Sequence, residues 1–226
     1  MLSRNPLTFF ALVVFAILPL RAAAQAQDLT SVLKALDAAA KNFHTASATV
    51  EFDSIVTDPV PDTDVLAGTA YYERNSHFEM AVHFTAHIVN KQSHPTEKGY
   101  ILSGGVVRYS DTGKEKDAQP VNGASKYESY FILGFGASGK DLAEKWTIKY
   151  DGKVTIDGIE TDELELVAKD PDVRKNLPKV TVWLDTSRAV SLKQVFDQGD
   201  GQSRVCIYSN IKVNQSLPKN AFNFDK

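Results

Sequence analysis

The reading of the fold turns on GTAYYERNSHFEMAVHFTAHI, residues 68–88. Phe78, Met80, Val82, Phe84, Ala86 and Ile88 alternate there with His77, Glu79, Ala81, His83, Thr85 and His87. A period of two is the signature of a strand with one apolar face and one wet face. The polar set also poses a question of chemistry, because three histidines and a glutamate resemble metal ligands. Same-face neighbours two residues apart lie about 6.8 Å apart along a strand. His83 and His87 are four apart, so no single ion is expected to join them, and no metal is expected. The histidines are expected on the solvated outside.

The same alternation recurs along the chain. Ala48, Val50, Phe52 and Val56 alternate with polar residues, as do Trp146, Ile148 and Tyr150, then Leu164, Leu166 and Ala168, then Val180, Val182 and Leu184. Near the C-terminus, Val205, Ile207, Ile211 and Val213 are expected on one face, opposite Arg204, Tyr208, Asn210 and Lys212. Turn signals fall between segments at 58–62, Asp111-Thr-Gly113, Asp151-Gly152, Asp157-Gly158 and 198–201. Strands at hairpin spacing make an antiparallel sheet.

Two segments break the period. Residues 28–43 carry Leu29, Val32, Leu33, Leu36, Ala40 and Phe43 on one helical stripe, with Asp28 or Thr30 available as a cap. Between 124 and 145, Tyr127, Tyr130, Phe131, Leu133, Phe135 and Leu142 predict one or two short helices. The fold class is therefore mainly β with α: one large sheet whose apolar face is covered by little helix. Pattern alone leaves two outcomes open, an apolar cavity or a face filled by its own side chains.

The first 26 residues read as an export signal, with Arg4 ahead of an apolar run from Leu7 to Leu20 and small residues to Ala26. That run is short for a bilayer span. Residues 27–226 are expected to form a single domain, a monomer exported to the periplasm. The only cysteine, Cys206, is far from the cleavage region, so no lipid anchor is expected there and no internal disulfide is possible. Net charge is −3, and no basic stripe marks a nucleic-acid surface.

Four stretches resemble a known family in chain order. YSNIKVNQSLPKNAFNF (208–224) resembles the closing segment of the LolA-like periplasmic lipoprotein carriers. VTVWLDTSRAVSLKQVFDQGDGQ resembles their preceding hairpin, LKALDAAAKNFHTASATVEF their first helix and strand, and GTAYYERNSHFEM their second strand and its turn. The chain departs from them at Arg74-Asn75, at Glu79-Met80 and in the insertion YFILGFGASGKDL, as a divergent member would. The resemblance implies an incomplete antiparallel β-barrel, or strongly curved sheet, with helices over an apolar concave face. It implies a carrier that takes acylated lipoproteins or lipids from an inner-membrane releasing transporter to an outer-membrane acceptor. A second reading of the same fold is a periplasmic lipid- or lipoprotein-binding sensor or scaffold.

Arg74 stands where the family has a functionally important arginine, here expected to latch lid carbonyls or meet cargo polar groups. Phe78, Met80, Val82, Phe84, Val180, Val182, Leu184 and Leu192 are the candidate cargo-binding residues. Leu33, Leu36, Phe43, Phe131, Leu133 and Phe135 are the candidate cover. No nucleophile elbow, zinc-hydrolase helix or activated thiol stands in the chain, so no enzyme and no cofactor are expected. Gly134, Gly136 and Gly139 form a GxGxxG, but hairpin-spaced strands follow instead of a βαβ unit, so they are expected to shape a loop.

Overall fold

The computed structural model describes residues 18–75, 77–121 and 133–225, with side chains from residue 28 onward. Strands β1 (Thr45–Val56), β2 (Asp62–Arg74), β3 (Phe78–Val89), β4 (Gln92–Pro95), β5 (Gly99–Ser103), β6 (Val106–Ser110) and β7 (Gln119–Pro120) precede the insertion. Strands β8 (Trp146–Ile156), β9 (Ile159–Ala168), β10 (Lys179–Asp185), β11 (Val190–Gly199) and β12 (Gln202–Val213) follow it. All twelve described strands belong to one antiparallel sheet, ordered β7-β6-β5-β3-β2-β1-β12-β11-β10-β9-β8, with β4 pairing the far end of β3. β7 and β8 are the two free edges, so the sheet is not closed into a barrel.

Local chemistry sets the hairpins. Asp157-Gly158, Asp200-Gly201, Asn90-Lys91 and Gly104-Gly105 all have positive φ at both central positions, as two-residue turns matched to strand twist require. The last two join β3 to β4 and β5 to β6; of these strands the alternation reading left β4, β5 and β6 unassigned. Asp151-Gly152 is not a strand break. It lies inside β8 as a bulge, where the register shifts between Tyr150 and Gly152.

Two more bulges reverse faces expected from the alternation. In β3 one extra residue sits between Phe84 and Ala86, so His87 pairs directly with Leu66. Directly paired residues share a face, so His87 turns to the concave side, where it contacts Asp64. In β12 one extra residue falls near Asn210, whose φ of 51° is left-handed. Val213 pairs Ala46, but beyond the bulge Tyr208 pairs Val50, Cys206 pairs Phe52 and Arg204 pairs Ser54. Val205 and Ile207 therefore face outward, and Arg204, Cys206 and Tyr208 face inward, the reverse of the expected phase.

His83 does keep the convex face, but it is not solvated. The chain after β12 folds back over it: His83 Nε2 lies 2.8 Å from the Ala221 carbonyl oxygen, and Phe224 packs with Ala81 and Ile101. His83, Phe224 and Ala221 are all buried.

Three helices cover the concave face among the described residues: α1 (Leu18–Ala40), α2 (Gly139–Lys145) and α3 (Pro171–Asn176). α1 ends at Ala40, before the expected Phe43, and begins ten residues ahead of the expected start; the alanine-rich stretch there favours helix. Asn214 joins the helix end to the sheet: it donates to the Asn42 carbonyl at 2.6 Å and accepts from His44 N at 2.8 Å. α2 opens with a reciprocal cap between Ser138 and Asp141. Gly139 lets α2 press on α1, since a Cβ there would sit 2.2 Å from the Leu33 carbonyl oxygen.

Among the described residues the helices cover only half of the face. Val32, Leu36, Leu142, Val173 and Leu177 bury Trp146, Leu164, Leu166, Val180, Val182 and Leu184 on β8–β10. A second apolar cluster spans β1, β2, β3, β11 and β12, and includes Val50, Tyr72, Met80, Phe84 and Cys206. No helix among the described residues is long and apolar enough to cross a membrane.

The β10–β11 turn is held by one buried carboxylate. Asp185 accepts from Ser187 Oγ at 2.6 Å, from Arg188 Nε at 2.6 Å and from the Ser187 and Arg188 amides. Burial opposes its charge, yet the Ser187 and Arg188 bonds hold the carboxyl below its usual value. A carboxylate lowered on folding stabilises the fold above its unfolded pKa and loses that contribution as pH falls through its folded pKa. Asp185→Asn should therefore cost about 2 kcal/mol at pH 7. It should also flatten the loss of stability below about pH 4. Melting curves from pH 7 to pH 2 check this; parallel wild-type and variant profiles would refute it.

Candidate functional site: an apolar cavity with a polar mouth

The half of the concave face that the described helices leave uncovered encloses a cavity of about 460 Å³. Val50 and Phe52 of β1, Tyr72 of β2, Met80, Val82 and Phe84 of β3, and Tyr100 of β5 form one wall. Gln194 and Phe196 of β11 with Arg204, Cys206 and Tyr208 of β12 form the other. This size and apolar character fit a site for one small or slender ligand.

The two ends differ. At the deep end Tyr72, Cys206, Tyr208 and Gln194 are all buried. The Tyr72 hydroxyl lies 3.4 Å from that of Tyr208, which in turn donates to Gln194 Oε1 at 3.4 Å. Gln194 Nε2 donates to the Leu133 carbonyl. Phe135 stacks flat on Tyr72, with centroids 3.9 Å apart, and meets Tyr208 edge-on. Burial pushes the Cys206 thiol up to about 12 and raises the Tyr72 and Tyr208 phenols, so this end disfavours negative charge. At the other end Arg204 and Asn176 are exposed and Gln198 is half-buried. Between Tyr208 and Arg204 the strand runs roughly 13 Å.

The expected site residues fall into three groups. Met80, Val82 and Phe84 line the cavity. Phe78 and Leu192 belong to the same apolar cluster without lining the cavity; Phe78 stacks on Phe43 with centroids 6.4 Å apart. Val180, Val182 and Leu184 lie beneath the helices in the other cluster. Of the cover residues, Leu33 and Leu36 pack with Leu133 over that helical half. Phe43 and Phe135 close the cavity half, and Phe131 lies outside the described residues.

Arg74 ties the closing segment to the sheet. Its Nη1 donates to the Gly136 carbonyl, and its Nη2 lies 3.9 Å from Asp141 Oδ2 on α2. Gly136 N donates to the Ala189 carbonyl at 2.8 Å, and the Phe135–Val190 bridge fixes the same segment to β11. The three glycines of the GxGxxG serve this packing. A Cβ at Gly134 would meet Ser191 at 2.6 Å, at Gly136 the Phe43 ring at 2.4 Å, and at Gly139 the backbone of α1.

The alternation reading missed Val50, Phe52, Tyr72, Gln194, Phe196, Arg204, Cys206 and Tyr208 as lining. For the first three the signal was present in β1 and β2. For the β12 residues the bulge near Asn210 hid it. Among the described residues no group of His, Cys, Asp and Glu is arranged to hold a metal ion.

No family model and no curated protein matches the chain. Among solved structures it is similar to a putative outer membrane lipoprotein-sorting protein domain from Vibrio parahaemolyticus (14% identity, 87% of this chain and 95% of that one, TM-score 0.44). It is also similar to LprF from Mycobacterium bovis (16% identity, 85% and 97%, TM-score 0.45). The structural neighbours, at low identity, further include a LolA superfamily protein from Nitrosomonas europaea (16% identity, 86% and 97%, TM-score 0.41).

Proposed function

We propose that this protein is a periplasmic carrier that holds acyl chains of a lipid or lipoprotein in the cavity and passes them from inner to outer membrane. The observation that carries the reading is the cavity itself: an apolar chamber walled by Val50, Phe52, Met80, Val82, Phe84 and Phe196, open at one end. Each methylene moved out of water is stabilised by about 0.8 kcal/mol, so a chain of ordinary length has a strong reason to enter. A carrier must also release its load. Met80 and the phenylalanines of the wall adapt to a guest without gripping it, and the Arg74 tether on Gly136 gives the closing segment a side-chain contact to make or lose. An inner-membrane transporter as donor and an outer-membrane acceptor complete the route. The export signal read in residues 1–26 supports a station between them.

The lone cysteine supplies the test, because its thiol lies on the cavity wall. Protein purified without detergent should yield acyl lipids by mass spectrometry of an organic extract. After delipidation Cys206 should react slowly with a small apolar thiol reagent, as its raised pKa requires, and added palmitate should slow it further. A lipid-free preparation whose Cys206 reacts at one rate with and without palmitate would overturn the proposal.

A further inference from the structure

We infer that the cavity takes its ligand tail-first, and that Arg204 at the mouth holds an anionic head, a carboxylate or a phosphate, on a single-chain amphiphile. This rests on the acyl-cavity reading and deepens it.

Among the described residues Arg204 is the cation that lines the cavity. Its place there is a product of the β12 bulge, which turns it inward opposite Phe196 and Ser54. The guanidinium lies over the Phe52 ring, 5.6 Å from its centroid, while the residue as a whole is exposed. Stacking on one face leaves the in-plane N–H groups able to form a paired contact with a planar or tetrahedral anion. Gln198, also on the lining and beside the β11–β12 turn, brings an amide donor to the same end. Asp64, on the same face two strands away, is paired with His87.

The deep end excludes the opposite orientation. Its polar groups already bond one another from Tyr72 to Tyr208 to Gln194 to the Leu133 carbonyl. An anion pushed there would be desolvated beside phenols whose own ionisation burial suppresses. The polarity gradient thus runs one way, from an apolar, charge-rejecting floor to a cationic rim. The modest volume argues for one slender chain.

The test is a displacement titration of a fluorescent fatty-acid probe from the full chain. The competitors are palmitate, hexadecyl phosphate, hexadecanol as the neutral match, and sodium acetate or phosphate as the free anions. Wild-type protein should prefer palmitate or hexadecyl phosphate over hexadecanol by about tenfold or more, as one charge-assisted contact predicts. The stronger of the two identifies the head. Arg204→Gln should narrow that preference to less than about threefold, Arg204→Lys should restore part of it, and rising salt should erode it. The free anions alone should not displace the probe. Equal affinity for hexadecanol and palmitate, or a preference untouched in Arg204→Gln, would overturn the head-group assignment and leave the acyl-cavity reading standing. Failure of any chain to bind would overturn both.

Discussion

Replacing Gly68 by alanine should destabilise the protein by at least about 3 kcal/mol, or roughly 6–12 °C in Tm for a chain of this length. The cause is the β3 bulge. The extra residue between Phe84 and Ala86 throws the backbone of β3 against β2 where Gly68 pairs Phe84. A Cβ at Gly68 would lie 2.0 Å from the His83 carbonyl oxygen and 2.7 Å from the Phe84 Cα. Both are backbone atoms in the middle of the sheet, with no flexible side chain to move aside. The bulge would have to open, exposing the Met80–Phe84 wall of the cavity. Gly104 gives the contrast. It lies in a hairpin turn at φ 58° with nothing within 4 Å of a built Cβ, so alanine there costs only the left-handed backbone, about 1–2 kcal/mol. Thermal melts of the two variants rank the effects, and a Gly68→Ala protein melting as wild type would refute the close approach.

Filling the cavity should have the largest effect on binding. Val82 is half-buried and lines the chamber, so an indole at that position can grow into open volume. Val82→Trp should weaken acyl-ligand binding by about tenfold or more, because methylenes lose the surface that shelters them. Stability should change by less than about 1 kcal/mol, since the added atoms enter a void and not a packed core. The pair of measurements, displacement of a fluorescent fatty acid and a melt, separates the two. A variant that binds as wild type would show that chains are held elsewhere.

Much of the architecture is legible in residues read singly. The two-residue periods of β1, β9 and β10, the Asp-Gly pairs at 157–158 and 200–201, and the helical stripe from Leu29 to Ala40 all survive in the structure. What fails is phase. A bulge adds one residue, and one residue inverts every side chain beyond it. In RVCIY, residues 204–208, both phases offer apolar side chains, so nothing local chooses Cys206 and Tyr208 over Val205 and Ile207. The choice is made by pairing with Val50 and Phe52, some 150 residues earlier in the chain. His83 shows the same limit in another form: its burial comes from Ala221 and Phe224, which no window around residue 83 contains. Likewise Val182 and Val82 read alike in sequence. One lies under helices and the other in the cavity, because α1 and α2 reach only as far as β8–β10.

That uneven cover has a consequence for how such a protein can change. One half of the concave face is a sealed keel of Leu164, Leu166, Val180 and Leu184 clamped by helices. The other half, among the described residues, is an open chamber. Substitutions in the chamber alter what fits while the keel keeps the chain folded, so new binding preferences are open to descendants of this gene without first passing through an unstable ancestor. A keel substitution has no such freedom. Drift should therefore be fast around Val82, Phe196 and Arg204 and slow around Leu166.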